Sequence, residues 1–112
     1  DRSNVNIAPG AQVRVNVRLN MRERPAVESD RVCTVQAGVL VTALDAPTGA
    51  WFKARVRGWE HDDHPGLVFS EASANASIQA RRGGGLGWRQ VDYTGFLSMG
   101  NPAWWTVEDG PQ

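Results

Sequence analysis

From Ala11 the chain alternates strictly, with Val13, Val15, Val17, Leu19 and Met21 on one side and Arg14, Asn16, Arg18, Asn20 and Arg22 on the other. A period of two carried by β-branched residues predicts a half-buried strand. Arg24-Pro25 stops it, and residues 26–31 read as a polar loop. Val32–Gln36 and Val39–Leu44, rich in Val and Thr and parted by Ala37-Gly38, predict two further strands. Asp45-Ala46-Pro47-Thr48-Gly49 has turn chemistry, since proline presets φ and glycine supplies a positive one. Trp51–Arg57 alternates again, setting Trp51, Lys53, Arg55 and Arg57 against Phe52, Ala54 and Val56, and Gly58 is expected to end that strand.

The stretch from Trp59 to Gly87 breaks the rhythm. It holds the charged knot Glu60-His61-Asp62-Asp63-His64-Pro65-Gly66, a short apolar piece at 67–69 and a small-residue run, 70–80, that offers one weak helical turn. Gly83–Gly85 supports no regular element and reads as a hinge. Trp88–Val91 and Tyr93–Ser98 resume strand character across a tight turn, and 103–107 is a last short strand. Five or six short strands with turn residues between them and no amphipathic helix predict an all-β small barrel or sandwich. Its parts are a lead-in arm over 1–10, a barrel over 11–107 with a loop insertion at 59–86, and a polar tail over 108–112.

At 112 residues the chain is one domain's worth, and 41% hydrophobic with 21% charged residues argues against wholesale disorder. Twelve basic residues balance twelve acidic ones, so a nucleic-acid partner held by phosphate contacts is not expected. The balance hides an asymmetry. Residues 10–58 carry eight basic side chains against four acidic, and residues 59–112 carry three against seven. Internal charge pairing or surface scatter explains this without a partner, and a dipolar docking surface is the sharper alternative. Cys33 is the only cysteine, which excludes an internal disulfide and a cysteine-based metal cluster, and it is expected to be buried and unreactive. No apolar run has the length of a membrane span, no signal peptide is visible, and a start at Asp1 without Met is expected of a processed protein or an excised domain.

Several segments carry a resemblance. Leu19-Asn20-Met21-Arg22-Glu23-Arg24-Pro25 resembles the opening motif of bacterial SH3-like (SH3b) domains. Val32 and Val35 before Gly38, with Val39-Leu40-Val41-Thr42-Ala43-Leu44 after it, are similar to that family's second and third strands. Trp51-Phe52-Lys53-Ala54-Arg55-Val56 resembles its Trp-Tyr-Lys-Val-Arg-Val strand, and 87–93 with 94–98 resemble its closing hairpin. Arg24 stands where the family has Gly, and Phe96 where it has Trp. The resemblance implies an SH3-like barrel of five to six short strands with a long insertion in the distal-loop region. It also implies an accessory role in cell-envelope proteins, binding peptidoglycan, its peptide cross-bridges or a protein partner.

Candidate chemistry is sparse. His61-Asp62-Asp63-His64 offers imidazole and carboxylate, yet a metal site needs further ligands and a second shell, so a solvated turn is the expected reading and no cofactor or metal is called for. Ser70, Ser98 and Cys33 lie in no recognisable nucleophile turn, and the triple glycine lacks the Lys-Ser/Thr of a phosphate loop. The chain is therefore expected not to be an enzyme. Of five tryptophans, Trp51 and Trp88 are expected at the core or rim, and Trp59 to pin the insertion. Trp104 and Trp105 must face opposite sides of a strand, with Trp105 the exposed member. The expected function is a non-catalytic binding module of the envelope, outside the cytoplasm and without membrane insertion. Its shallow groove would draw on Arg22, Arg24, Glu28, Tyr93, Trp104 and Trp105, for peptidoglycan or a protein or peptide partner. The alternative is a structural or assembly domain making protein or homo-oligomer contacts.

Overall fold

The structure is a computed structural model and describes residues 7–80 and 87–109. The chain forms β1 (Gln12–Val15), β2 (Leu19–Arg22), β3 (Arg31–Val35), β4 (Leu40–Ala43), β5 (Trp51–His61), β6 (Leu67–Val68), helix α1 (Glu71–Ala80), β7 (Trp88–Ser98), a 3-10 turn (Pro102–Trp104) and β8 (Trp105–Asp109). All eight strands join one sheet in the order β6-β3-β2-β7-β5-β4-β1-β8, so the protein is all-β. The sheet does not close, which corrects the expected barrel. β6, with only two residues, runs parallel to β3 and offers little edge for β8 to bond.

The spine is the antiparallel pair β5–β7, in register from Trp51↔Ser98 to His61↔Trp88. Phe52, Ala54 and Val56 face the core, and Arg55 and Arg57 face solvent, as the alternation requires. The core also takes Val13, Val15, Met21, Cys33, Val35, Val41, Leu97 and Ile7. Each large apolar side chain buried there contributes about 1.5–3 kcal/mol.

Four local expectations are corrected. The run from Val13 to Met21 is two strands, because Asn16 turns the corner between them: its N–H donates to the Trp104 carbonyl at 2.7 Å and its amide to Thr106 Oγ1 at 2.8 Å. Val17 is left exposed there. β5 does not stop at Gly58 but runs on to His61. A Cβ at Gly58 would lie 2.5 Å from Val68 Cγ1 and 2.6 Å from the Phe69 carbonyl, so the glycine lets the returning chain cross the strand at contact distance. No turn divides 88–98, since Asp92 stays in register opposite Arg57. The small-residue run makes a ten-residue helix, because Ser70 caps it with Oγ 3.1 Å from the Ser73 N–H and alanine is the best helix former. The expected glycine hinge at 83–85 lies outside the described residues, as do 1–6 of the lead-in arm and 110–112 of the tail. Ile7 is buried in the core, and β8 extends to Asp109.

Charge pairing across the chain's halves absorbs part of the asymmetry. Arg14 meets Glu108 at 3.0 Å, and Arg55 and Arg57 meet Asp92 at 2.6 and 3.5 Å.

Candidate ligand-binding site

The residues singled out in the sequence do not assemble into one groove. Arg22, half-buried at the end of β2, donates to the Ser29 carbonyl at 3.2 Å, and the Arg24 N–H donates to Ser29 Oγ at 2.9 Å. Arg24 and Glu28 are exposed on the same loop. Arg22 is in register with Phe96, three residues from Tyr93, so Arg22 and Tyr93 take opposite faces. Trp104 and Trp105 belong to the β8 edge, at the other end of the strand order from the β2–β3 loop. Trp105 is only 5% exposed and packs in the core opposite Val15, whereas Trp104 is half-buried. The exposed member of the pair is thus not Trp105. A 3-10 turn over Pro102–Trp104 takes up the start of the expected 103–107 strand, so β8 begins at Trp105.

Tyr93 is absorbed by a network around the buried Glu60 carboxylate. Its hydroxyl donates to Glu60 Oε1 at 2.6 Å, and Arg89 donates to Glu60 Oε2 and to Asp62 Oδ1, both at 2.6 Å. Burial is the largest influence on the Glu60 carboxyl and pushes its pKa up. Hydrogen bonds from Tyr93 and the Gly66 N–H, with the Arg89 charge, outweigh burial and leave it below the ordinary value. Tyr93 is pushed up to about 12, first by that hydrogen bond and then by burial. The Cys33 thiol rises to about 12 through burial and the nearby Glu60 charge.

The open feature lies at the end of the β5–β7 hairpin. His61 and Trp88 face each other across the last rung with ring centroids 4.9 Å apart and an interplanar angle of 71°. Phe69 stands edge-on to Trp88 at 5.4 Å and tilted to His64 at 6.3 Å. These four rings, with Ser73 of α1, Gln36, Ala37 and Asp63, surround a hollow of about 400 Å³. Backbone bonds hold the frame: Phe69 and Trp59 exchange both N–H donors at 2.7 and 2.9 Å, and the Asp62 N–H donates to the Gly87 carbonyl at 2.9 Å.

His61 is 7% exposed, which corrects the expected solvated turn. Its Nδ1 accepts from the Asp63 N–H at 3.1 Å, and its Nε2 is covered by Gly87, where a Cβ would sit 2.6 Å away. With φ at +88° as well, position 87 suits glycine on two counts. His64, by contrast, is exposed. Among the described residues no three His, Cys, Asp or Glu side chains converge as metal ligands. The sequence carried a signal for this hollow: Trp59 and His61 keep the alternation of Trp51–Arg57 past Gly58, and Trp88 follows a turn-forming glycine.

No family model, no curated protein and no solved structure matches this chain.

Proposed function

We propose that this chain is a non-catalytic binding module of a cell-envelope protein, which holds peptidoglycan, or another peptide, in the aromatic hollow. The observation behind this reading is the four-ring hollow on a rigid hairpin end. Aromatic walls offer large, stiff contact area at low entropic cost. His61 Nδ1 accepts from the Asp63 N–H, its Nε2 is buried against Gly87, and the Cys33 thiol sits inside the core, away from the hollow's lining. The test is retention of the intact chain on purified peptidoglycan, with NMR of the tryptophan indole signals. Retention with a shift at Trp88, and none at Trp51, supports the reading. No retention, and no shift on adding soluble wall peptides, sinks it.

The second reading, an assembly domain, has its own observation. Among the described residues the five-residue β8 has no strand on its outer edge, the kind of edge on which a second chain can pair. A monomer by light scattering at high concentration would remove it.

A further inference from the structure

We infer that a carboxylate site adjoins the aromatic hollow, so that the ligand carries a free carboxylate beside an apolar group. This rests on the reading of the hollow as the binding site. The turn between β5 and β6 separates two depressions, and Asp63 and His64 line both. The second encloses about 450 Å³ and is polar, lined by Arg18, Asn20, Arg31 and Thr34.

Four other arginines, Arg14, Arg55, Arg57 and Arg89, each lie within 3.5 Å of a carboxylate. Among the described residues Arg18, Arg22, Arg24 and Arg31 pair with no carboxylate, and of these Arg18 and Arg31 line the second depression. Neutral side chains hold them in place. Arg31 Nη1 donates to Thr34 Oγ1 at 2.8 Å, and that hydroxyl donates to Asn20 Oδ1 at 2.8 Å. Thr34 is 5% exposed, so this relay starts from a fixed point, and it uses the Asn20 side-chain oxygen rather than its amide N–H. Arg18 Nε donates to Gln36 Oε1 at 3.0 Å, and Gln36 lines the aromatic hollow, which ties the two depressions together. Two preset guanidinium groups facing one depression match an oxyanion. Asp63 on the shared wall offsets one positive charge, and the single charge left over fits a carboxylate better than a dianionic phosphate.

The test has two arms. Acetate and inorganic phosphate are titrated separately while the arginine Nε signals are followed by NMR. An N-acetylated tripeptide ending in phenylalanine is then compared as free acid and as carboxamide. Arg18 and Arg31 should shift with acetate, and the acid should bind about tenfold tighter than the amide, the worth of a charge-assisted hydrogen bond pair at a half-open site. Arg31→Gln, with Arg18→Gln as a second variant, should erase that difference, since both side chains are exposed. Equal affinity of acid and amide overturns the carboxylate site and leaves the hollow standing. Failure of both peptides to bind overturns the two together, whatever acetate does. Saturation by phosphate at lower concentration than acetate overturns the choice of a monoanion.

Discussion

The Tyr93 hydroxyl and the Glu60 carboxylate meet at 2.6 Å on the inward side of the β5–β7 pair. Gly58 lies between them along the strand and brings no side chain into the gap. Glu60 is 2% exposed, a position a carboxylate occupies only when its oxygens are bonded. Tyr93→Phe removes one donor and leaves the buried Oε1 short of a partner. The expected loss is about 1–3 kcal/mol in urea unfolding. A loss within about 0.5 kcal/mol, the range of inconsequential surface changes, would show that the bond carries no stability.

The same pair predicts how stability follows pH. Glu60 has its folded-state pKa held below the ordinary value of 4.5. Its contribution is therefore complete above that value and is lost as pH falls through the folded-state pKa. The stability gap between the native protein and Glu60→Gln should be widest near neutrality and narrow in acid. Tyr93 behaves in the opposite sense: raised from 10.0 to about 12, it contributes fully below 10.0 and loses that contribution as pH climbs through about 12. As the chain has one tyrosine, tyrosinate absorbance reports Tyr93 alone. Its midpoint should stand near 12 in the native protein and drop toward 10.0 in Glu60→Gln, where the charged acceptor is gone.

Cys33 is 1% exposed, with Sγ 3.9 Å from Met21 Sδ and a pKa of about 12. A thiol reagent acts on the thiolate and needs access to it. DTNB should leave the native protein unmodified at neutral pH and react fully in denaturant. Prompt reaction of the folded protein would contradict the burial.

The strands were legible because period-two patterning is a local property, and it marked β3, β4, the inward residues of β5 and the two halves of β7. What escaped depends on chain returning from far away. On β3, alternation sets Cys33 against its neighbours, yet Cys33, Thr34 and Val35 are all buried: Thr34, on the other face, has its hydroxyl held between Arg31 and Asn20 and stands in register with Leu67 of β6. Gly58 reads as a terminator until Val68 and Phe69 are seen to need its missing side chain. His61 reads as part of a charged turn, while the strand that buries it depends on Trp88, twenty-seven residues later. The groove residues failed for a related reason. Arginine and tryptophan make good binding anchors when free, and the sequence did not show that Tyr93 would be engaged by Glu60 or Trp105 by the core.

Gly58→Ala tests the crossing directly. The added methyl would sit 2.5 Å from Val68 Cγ1 and 2.6 Å from a backbone oxygen, and the oxygen has no side-chain freedom with which to yield. Overpacking of this kind costs about 1–3 kcal/mol. The strain should appear first as loss of hydrogen-exchange protection at Phe69 and Trp59, whose paired N–H bonds span the crossing. Unchanged protection at both would show that β6 adapts and that glycine is not required there.

The paired tryptophans should part company on truncation. Trp105 is 5% exposed within the core cluster, and Trp105→Ala should cost about 3–5 kcal/mol. Trp104 only leans against that cluster, and its alanine variant should stay below about 2 kcal/mol. Trp105 has one further property: its indole N–H is buried without a hydrogen-bond partner among the described residues. An unpaired buried donor costs about 1–3 kcal/mol. Trp105→Phe gives up ring volume but also removes that donor, so it should lose far less stability than Trp105→Ala. Thermal unfolding of the three variants decides the matter. If Phe and Ala are equally damaging, the indole N–H has a partner, such as bound water; if Trp104→Ala is the worse of the alanine pair, the inward and outward assignments are reversed.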